Sequence, residues 1–288
     1  MTLLSTVIPL IAANAPEESA YLGRACYAFF LSLIERVNPS LAEELHAPRG
    51  AKPFTVSALL SWDHPHLVQP EVREGERYYL RFTSIETELS RLLAEEVLPN
   101  LPSPVELGPA RFDVGMPITE GHPWAGRATP EELVERWFGG GEVGKRVTLE
   151  FASPTAFRRI HRNVVVPLPA AVFRSLLGAW NGFGRPAFEQ DLVDFVEAEV
   201  EISRYWLRSA AVQIGPGWQI GCVGQCSYVC FHPQRSVWRV LHLLADFALF
   251  CGVGYKTTQG MGQARRMGES GESANGRIGE SENGRISG

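Results

Sequence analysis

The chain has 288 residues, of which 45% are hydrophobic and 20% charged, with a formal net charge of −5. That length allows two domains with separate cores, and the composition is that of a soluble globular protein. No apolar run reaches the ~20 residues that cross a bilayer. The five cysteines form no dense framework, which fits a reducing cytoplasm.

The opening MTLLSTVIPLIAANAPEE lacks the basic start of a secretory signal and reads as a first strand over residues 3–13, ending at Asn14-Ala15-Pro16. From Glu17 to Val37 apolar residues recur at helical spacing, and Asn38-Pro39 stops the helix. LAEELH (41–46) reads as a short helix, APRGA as a loop, and KPFTVSALLSW (52–62) as a strand. RYYLRFTSI (77–85) is a further strand, ETELSRLLAEEV (86–97) a helix, and VELGPARFDV (105–114) a pairing strand. The order β-α-β-β-α-β is the split βαβ, ferredoxin-like pattern.

Residues 119–145 hold Gly, Pro and the short helical pattern PEELVERWF, and 121–145 read as the passage to a second unit. The order then recurs. RVTLEFASPTAF is a strand and LPAAVFRSLLGAWNGF an amphipathic helix. AEVEISRYWLRSAAVQI and WQIGCVGQCSYVCF form an antiparallel pair across Gly215-Pro216-Gly217. PQRSVWRVLHLLADFALF is a helix, with a last short strand in GMGQA. The expected class is α+β, with tandem ferredoxin-like (βαββαβ, RRM-like) domains at 1–120 and 146–266. After Met267 the composition collapses to Gly, Glu, Ser, Asn and Arg, and 267–288 read as a low-complexity, disordered tail.

One stretch stands out for its chemistry. In CGVGYKTTQGMGQARR (251–266), Gly252, Gly254, Gly260 and Gly262 bracket Lys256, Thr257 and Thr258, and Arg265 and Arg266 close the segment. Glycines permit positive φ, and exposed N–H groups with a lysine and hydroxyls form an anion-binding concavity. Neither a P-loop nor a dinucleotide fingerprint fits the spacing, because Tyr255 precedes Lys256 and the helix comes before the strand. A turn without a ligand is the competing reading. From Ser203 to Arg266 seven Arg and Lys face the single acid Asp246, so a basic lobe sits on an acidic protein, the footprint expected of a nucleic-acid contact.

A second stretch pairs an imidazole with an ammonium. In LHAPRGAKPFT (45–55), His46 ends a short helix and Lys52 enters a strand across a Pro/Gly loop. Metal-free RNA cleavage uses the adjacent 2′-OH as nucleophile. It requires proton transfer, which histidine performs near neutral pH, and charge stabilisation on the phosphorane, which lysine supplies. A histidine at a helix C-terminus is equally explained by the helix dipole.

Both stretches resemble those of the CRISPR-associated RAMP endoribonucleases, the family called CRISPR-associated protein six. NPSLAEELHAPRGAKPFTVS matches its helix–His–loop–Lys-Pro-Phe-Thr segment and GVGYKTTQGMG its glycine loop, with FASPTAFR (151–158) and VFRSLLGAWN between them. The resemblance implies a cytoplasmic, cofactor-free and metal-independent endoribonuclease. It would cut CRISPR repeat RNA once on the 3′ side of the repeat, leaving a 2′,3′-cyclic phosphate and a 5′-OH, and an effector complex would be a further partner. His46 would be the general acid/base and Lys52 the stabiliser. Some members carry a tyrosine on the first helix. That position is Leu31 here, and Tyr27, one turn earlier on the same face, is the candidate substitute. The alternative is a non-catalytic repeat-binding subunit. A metal-dependent nuclease is a third reading, but the paired carboxylates it needs are not apparent.

Other residues carry weaker signals. Arg158 and Arg159, with His161 and Arg162 just beyond, read as backbone contacts or as a solvated loop. Cys222, Cys226 and Cys230 lie four apart on a strand, ~13 Å between neighbours, and read as buried thiols rather than a metal site. Trp62-Asp63-His64-Pro65-His66 reads as a surface turn. Trp206, Trp218 and Trp238 are candidates for base stacking or for core.

Overall fold

The computed structural model describes residues 2–16, 20–47, 51–61, 68–160, 162–183, 187–189 and 191–268. The Trp62–His66 turn, His161 and the tail from 269 lie outside them.

The N-terminal half runs β1 (Leu3–Ala12), α1 (Gly23–Val37), α2 (Pro39–His46), β2 (Phe54–Val56), β3 (Arg77–Ser84), α3 (Thr87–Leu92), β4 (Val105–Leu107) and β5 (Ala110–Val114). Its sheet has the order β2-β3-β1-β5-β4. The alternation in β1 is weak because both faces are covered. Leu4, Ile8 and Leu10 join the core under α1, whereas Leu3 belongs to the core of the other half. α1 buries Cys26, Phe30, Leu33 and Ile34, an i, i+4, i+7, i+8 stripe. The Phe30 ring packs on Phe54 at 4.6 Å and on Phe82 at 5.0 Å.

Next come β6 (Gly126–Ala128), which pairs with β1, and α4 (Pro130–Phe138), closed by a capping box between Thr129 and Glu132. The C-terminal half adds β7 (Arg146–Thr155), β8 (Phe157–Arg159), β9 (Arg162–Val164), α5 (Pro169–Phe183), α6 (Leu192–Glu199), β10 (Val200–Ile214), β11 (Gly217–Cys230), α7 (Arg235–Cys251) and β12 (Ala264–Arg266). Its main sheet has the order β10-β11-β7-β12. α5 and α7 cover one face, where Trp180 meets Phe247 edge-on at 5.1 Å. Each half thus places its first strand in the centre beside its third, as a ferredoxin-like βαββαβ unit does.

Several elements differ from expectation. VELGPARFDV is a hairpin, β4 and β5, because Gly108 turns the chain at φ 61°. Strand pairing begins at Phe54 rather than Lys52 and covers three residues, and the last strand is 264–266 rather than GMGQA. α6 arises in an acidic run not assigned to a helix, held by buried Val193 and Val196. The five cysteines are free thiols. Burial pushes Cys222 up to about 12 and Cys226 up to about 11, which leaves both protonated at neutral pH. Among the described residues no helix is long and apolar enough to cross a membrane.

Arg81 bolts the halves together. It projects from β3, is 0% exposed, and donates to Ser5 Oγ at 3.1 Å, the Trp124 carbonyl at 3.0 Å, Gln263 Oε1 at 2.5 Å and the Leu249 carbonyl. Burial pulls its pKa down to about 9, so the guanidinium stays charged at neutral pH, with neutral oxygens as its direct acceptors.

Candidate active site

α2 starts and ends on local hydrogen bonds. Asn38 accepts the Leu41 N–H at 3.0 Å on its side chain, while its own N–H closes α1 on the Ile34 carbonyl at 2.7 Å. Pro39 supplies the first turn, where its missing N–H costs nothing. The helix stops at His46, which is exposed. Lys52 returns to this same end. Its ammonium donates to the Leu45 carbonyl at 2.8 Å and to the Ala47 carbonyl, satisfying orphan acceptors of the last turn. Desolvation there lowers its pKa.

Tyr27 completes the cluster. Its ring lies 6.4 Å from that of His46, tilted by 26°, and 6.3 Å from Phe54, nearly parallel to it. Partial burial raises its phenol above the ordinary value, so the hydroxyl is a donor near neutral pH and not a base. Leu31, at the position of the tyrosine that some family members carry, packs against the core. The fold thus brings the Lys52 ammonium to the helix end that carries His46, and the Tyr27 ring near that of His46.

The glycine segment corrects the sequence reading of a backbone cradle. Gly252, Gly254, Gly260 and Gly262 all have positive φ. Their N–H groups, however, are committed to protein acceptors. Gly252 donates to Ala248 at 3.0 Å, Gly254 to Ser175 Oγ at 2.9 Å, Gly260 to Val56 at 3.0 Å and Gly262 to Pro154 at 3.0 Å. A Cβ on Gly254 would strike the Ala156 carbonyl, and one on Gly260 would strike the Tyr21 hydroxyl. Gly254 is thus needed for close approach to Ala156, Gly260 for close approach to Ala58 and Tyr21, and Gly262 for close approach to Val253. Lys256 itself takes the left-handed conformation, φ 57°, and its ammonium reaches Gln259 Oε1 at 3.1 Å. Thr257 opens the single turn that follows.

The predicted arginines separate into two groups. Arg158 stands beside the glycine segment, donating to Tyr255 Oη at 2.9 Å with its guanidinium 5.2 Å from that ring, while Lys256 lies 5.4 Å from the same ring. Arg159, its neighbour in the exposed β8–β9 hairpin, is also exposed. Arg265 and Arg266 stand apart from this group. Arg265 pairs with Glu150 at 2.7 Å and covers Trp124, and Arg266 pairs with Asp246 at 2.6 Å and covers Trp137. Of the stacking candidates, Trp206 and Trp218 are 60% and 66% exposed, whereas Trp238 is half-buried and donates to the His232 carbonyl at 2.8 Å.

Comparison with known proteins places this arrangement. The family profile described as "CRISPR Cas6 N-terminal domain" matches residues 3–135, and the one described as "CRISPR-associated endoribonuclease Cas6" matches residues 149–264. The chain belongs to the Cas6 family. Among solved structures it is similar to a Cas6 product complex (TTHA0078), with 27% identity over 93% of this chain and 100% of that one and a TM-score of 0.75. A second Cas6 product complex (TTHB231, a protein of Thermus thermophilus) gives 27% identity over 92% and 100%, with a TM-score of 0.77. A structure titled "An RAMP protein binding different RNA substrates" is 14% identical over 92% and 100%, with a TM-score of 0.58, a likeness of fold alone. No curated protein matches the chain. The tandem ferredoxin-like architecture is thus that of Cas6 endoribonucleases; residues 45–55 and 251–264 of the two stretches singled out in the sequence fall within the matched regions, and Arg265 and Arg266 lie just beyond.

Proposed function

We propose that this Cas6 protein binds CRISPR repeat RNA and cuts the precursor transcript into guide RNAs by metal-independent transesterification. The observation that carries the reading is the meeting of His46, Lys52 and Tyr27 at one exposed helix end. In this reading the 2′-oxygen next to the scissile phosphate attacks phosphorus, and the bond to the 5′-oxygen breaks. The 2′-OH gives up a proton and the leaving 5′-oxygen takes one up; His46 carries one of these two transfers and solvent water the other. An N–H of Lys52 not used on α2 faces the phosphorane oxygens, whose negative charge grows in the transition state. The products are a 2′,3′-cyclic phosphate and a 5′-OH. Lys256, Thr257, Arg158 and Arg159 hold neighbouring phosphates, with the glycines setting the position of Lys256 rather than contacting RNA through their own N–H groups.

Incubation of the pure protein with end-labelled repeat RNA in EDTA tests this. Cleavage to a cyclic-phosphate end supports the enzyme. A shifted but intact band would leave a repeat-binding subunit, the reading favoured by the apolar Leu31 packed against the core where some family members carry a tyrosine. Cleavage abolished by EDTA would point to metal-dependent chemistry.

A further inference from the structure

Away from His46, a cavity of about 190 Å³ opens between β6, α4, α7 and β12. Four arginines line it: Arg127, Arg136, Arg265 and Arg266. Arg81 lies just beneath, donating to the carbonyl of Leu249, a residue of the lining. Against these five guanidinium groups stand two carboxylates. Asp246 is shared, its Oδ1 accepting from Arg266 at 2.6 Å and its Oδ2 from Arg136 at 3.1 Å and from Trp137 Nε1 at 2.8 Å. Glu150 is held by Arg265. Glu132, on the adjoining helix, is spent on the Thr129 N–H at 2.8 Å. Arg127 is exposed and has no acidic partner among the described residues. His122, next to Pro123 of the lining, is held below its ordinary pKa chiefly by burial, with Arg265 and Arg81 adding to the shift.

Two of the guanidinium planes are also fixed in orientation. Arg265 lies 5.0 Å from the Trp124 ring and Arg266 4.9 Å from the Trp137 ring. Both already hold a carboxylate, Glu150 and Asp246, so what they offer a phosphate is their fixed positive charge and the N–H groups those partners leave over. Arg127 is exposed, so a lone small anion beside it would remain largely hydrated. A polyanion already anchored elsewhere on the protein would instead meet the pocket at high effective concentration.

We propose that this pocket binds a backbone phosphate of the RNA strand outside the reaction centre, a second anchor at the base of the glycine segment. The proposal rests on the RNA-processing reading above. α7 and β12, which supply Asp246, Arg265 and Arg266, are the two elements from which the glycine segment departs and to which it returns, while Lys256 stands at its far end beside α1 and β2. A strand gripped at both places is fixed in direction as well as in position.

The test is the salt dependence of RNA binding by the full chain, wild type against Arg127→Gln and Arg127→Glu. Two RNAs are used, the bare repeat and the repeat extended on each side. Removing one arginine from a phosphate lowers the log–log salt slope by about 0.7–0.9. A fall of that size with the extended RNA, absent with the bare repeat and larger in Arg127→Glu, is expected. Equal slopes for wild type and both variants on both RNAs would overturn the proposal. Inorganic phosphate raising the melting temperature of the wild type but not of Arg127→Gln, with RNA slopes unchanged, would also overturn it in favour of a small-anion site. Binding is read without cleavage, so failure of the wild type to cut would sink the proposed reaction and still leave the pocket tested.

Discussion

The ammonium of Lys52 is bonded to the carbonyls on either side of His46, those of Leu45 and Ala47. The side chain that would stabilise charge thus also ends the helix that presents the proton carrier. Its desolvated position lowers its pKa, so it loses its proton at lower pH than an ordinary lysine, near 10.4. Cleavage should therefore fall on the alkaline side before that pH is reached. Lys52→Arg should remove this limb, because an arginine keeps its charge throughout the range. A pH–rate profile of the two proteins at saturating enzyme checks it.

Replacing His46 by alanine should lower single-turnover cleavage by at least ~10²-fold, the low end of what a positioned acid or base contributes. The side chain is exposed, so folding and repeat binding should stay as they are. Gel shift and thermal melting run beside the cleavage assay separate the two effects, and full cleavage by the variant would remove His46 from the mechanism.

Tyr27 offers the imidazole a ring to rest on, itself backed by Phe54. Tyr27→Phe keeps that surface and should cut within a few-fold of the wild-type rate. Tyr27→Ala removes it and should lose about tenfold or more, on the order expected for a misplaced catalytic group. A Phe variant as slow as the Ala variant would assign the loss to the hydroxyl instead.

Gly260 has φ 93°, and a Cβ there would come within 2.8 Å of Ala58 N as well as striking the Tyr21 hydroxyl. Gly260→Ala should cost about 2–4 kcal/mol, from the strained backbone together with the overlap. Gly121→Ala, at φ 73° with nothing within 4 Å of the added methyl, carries the backbone part alone and should cost only about 1 kcal/mol. Denaturant midpoints of the two variants give the comparison.

The features legible in the sequence are those local in it. Asn38, His46 and Lys52 lie within fifteen residues, and the stop and cap at Asn38-Pro39 are marked by residue type, although the strand begins at Phe54, two residues after Lys52. The glycine segment is recognisable but its use is not, because the acceptors that consume its N–H groups come from Pro154, Ser175 and Val56, on other elements. Charge counting fails for the same reason. Arg265 meets Glu150 from 115 residues away, and Arg239 is spent on the Gly141 carbonyl at 2.7 Å. The β4–β5 turn does carry a signal, Gly108-Pro109, hidden inside a run that alternates well enough to pass for one strand.

β2 is the outermost strand of its sheet, and Gly260 lies alongside Ser57 in a parallel bridge while donating to the Val56 carbonyl. A boundary strand left bare is a template for other chains. Here the glycine segment covers part of that edge, at Val56 and Ser57, a contact that can form only after the chain has been made past Gly260. A fragment ending before Gly252 would lack that shield and should self-associate where the full chain stays dispersed.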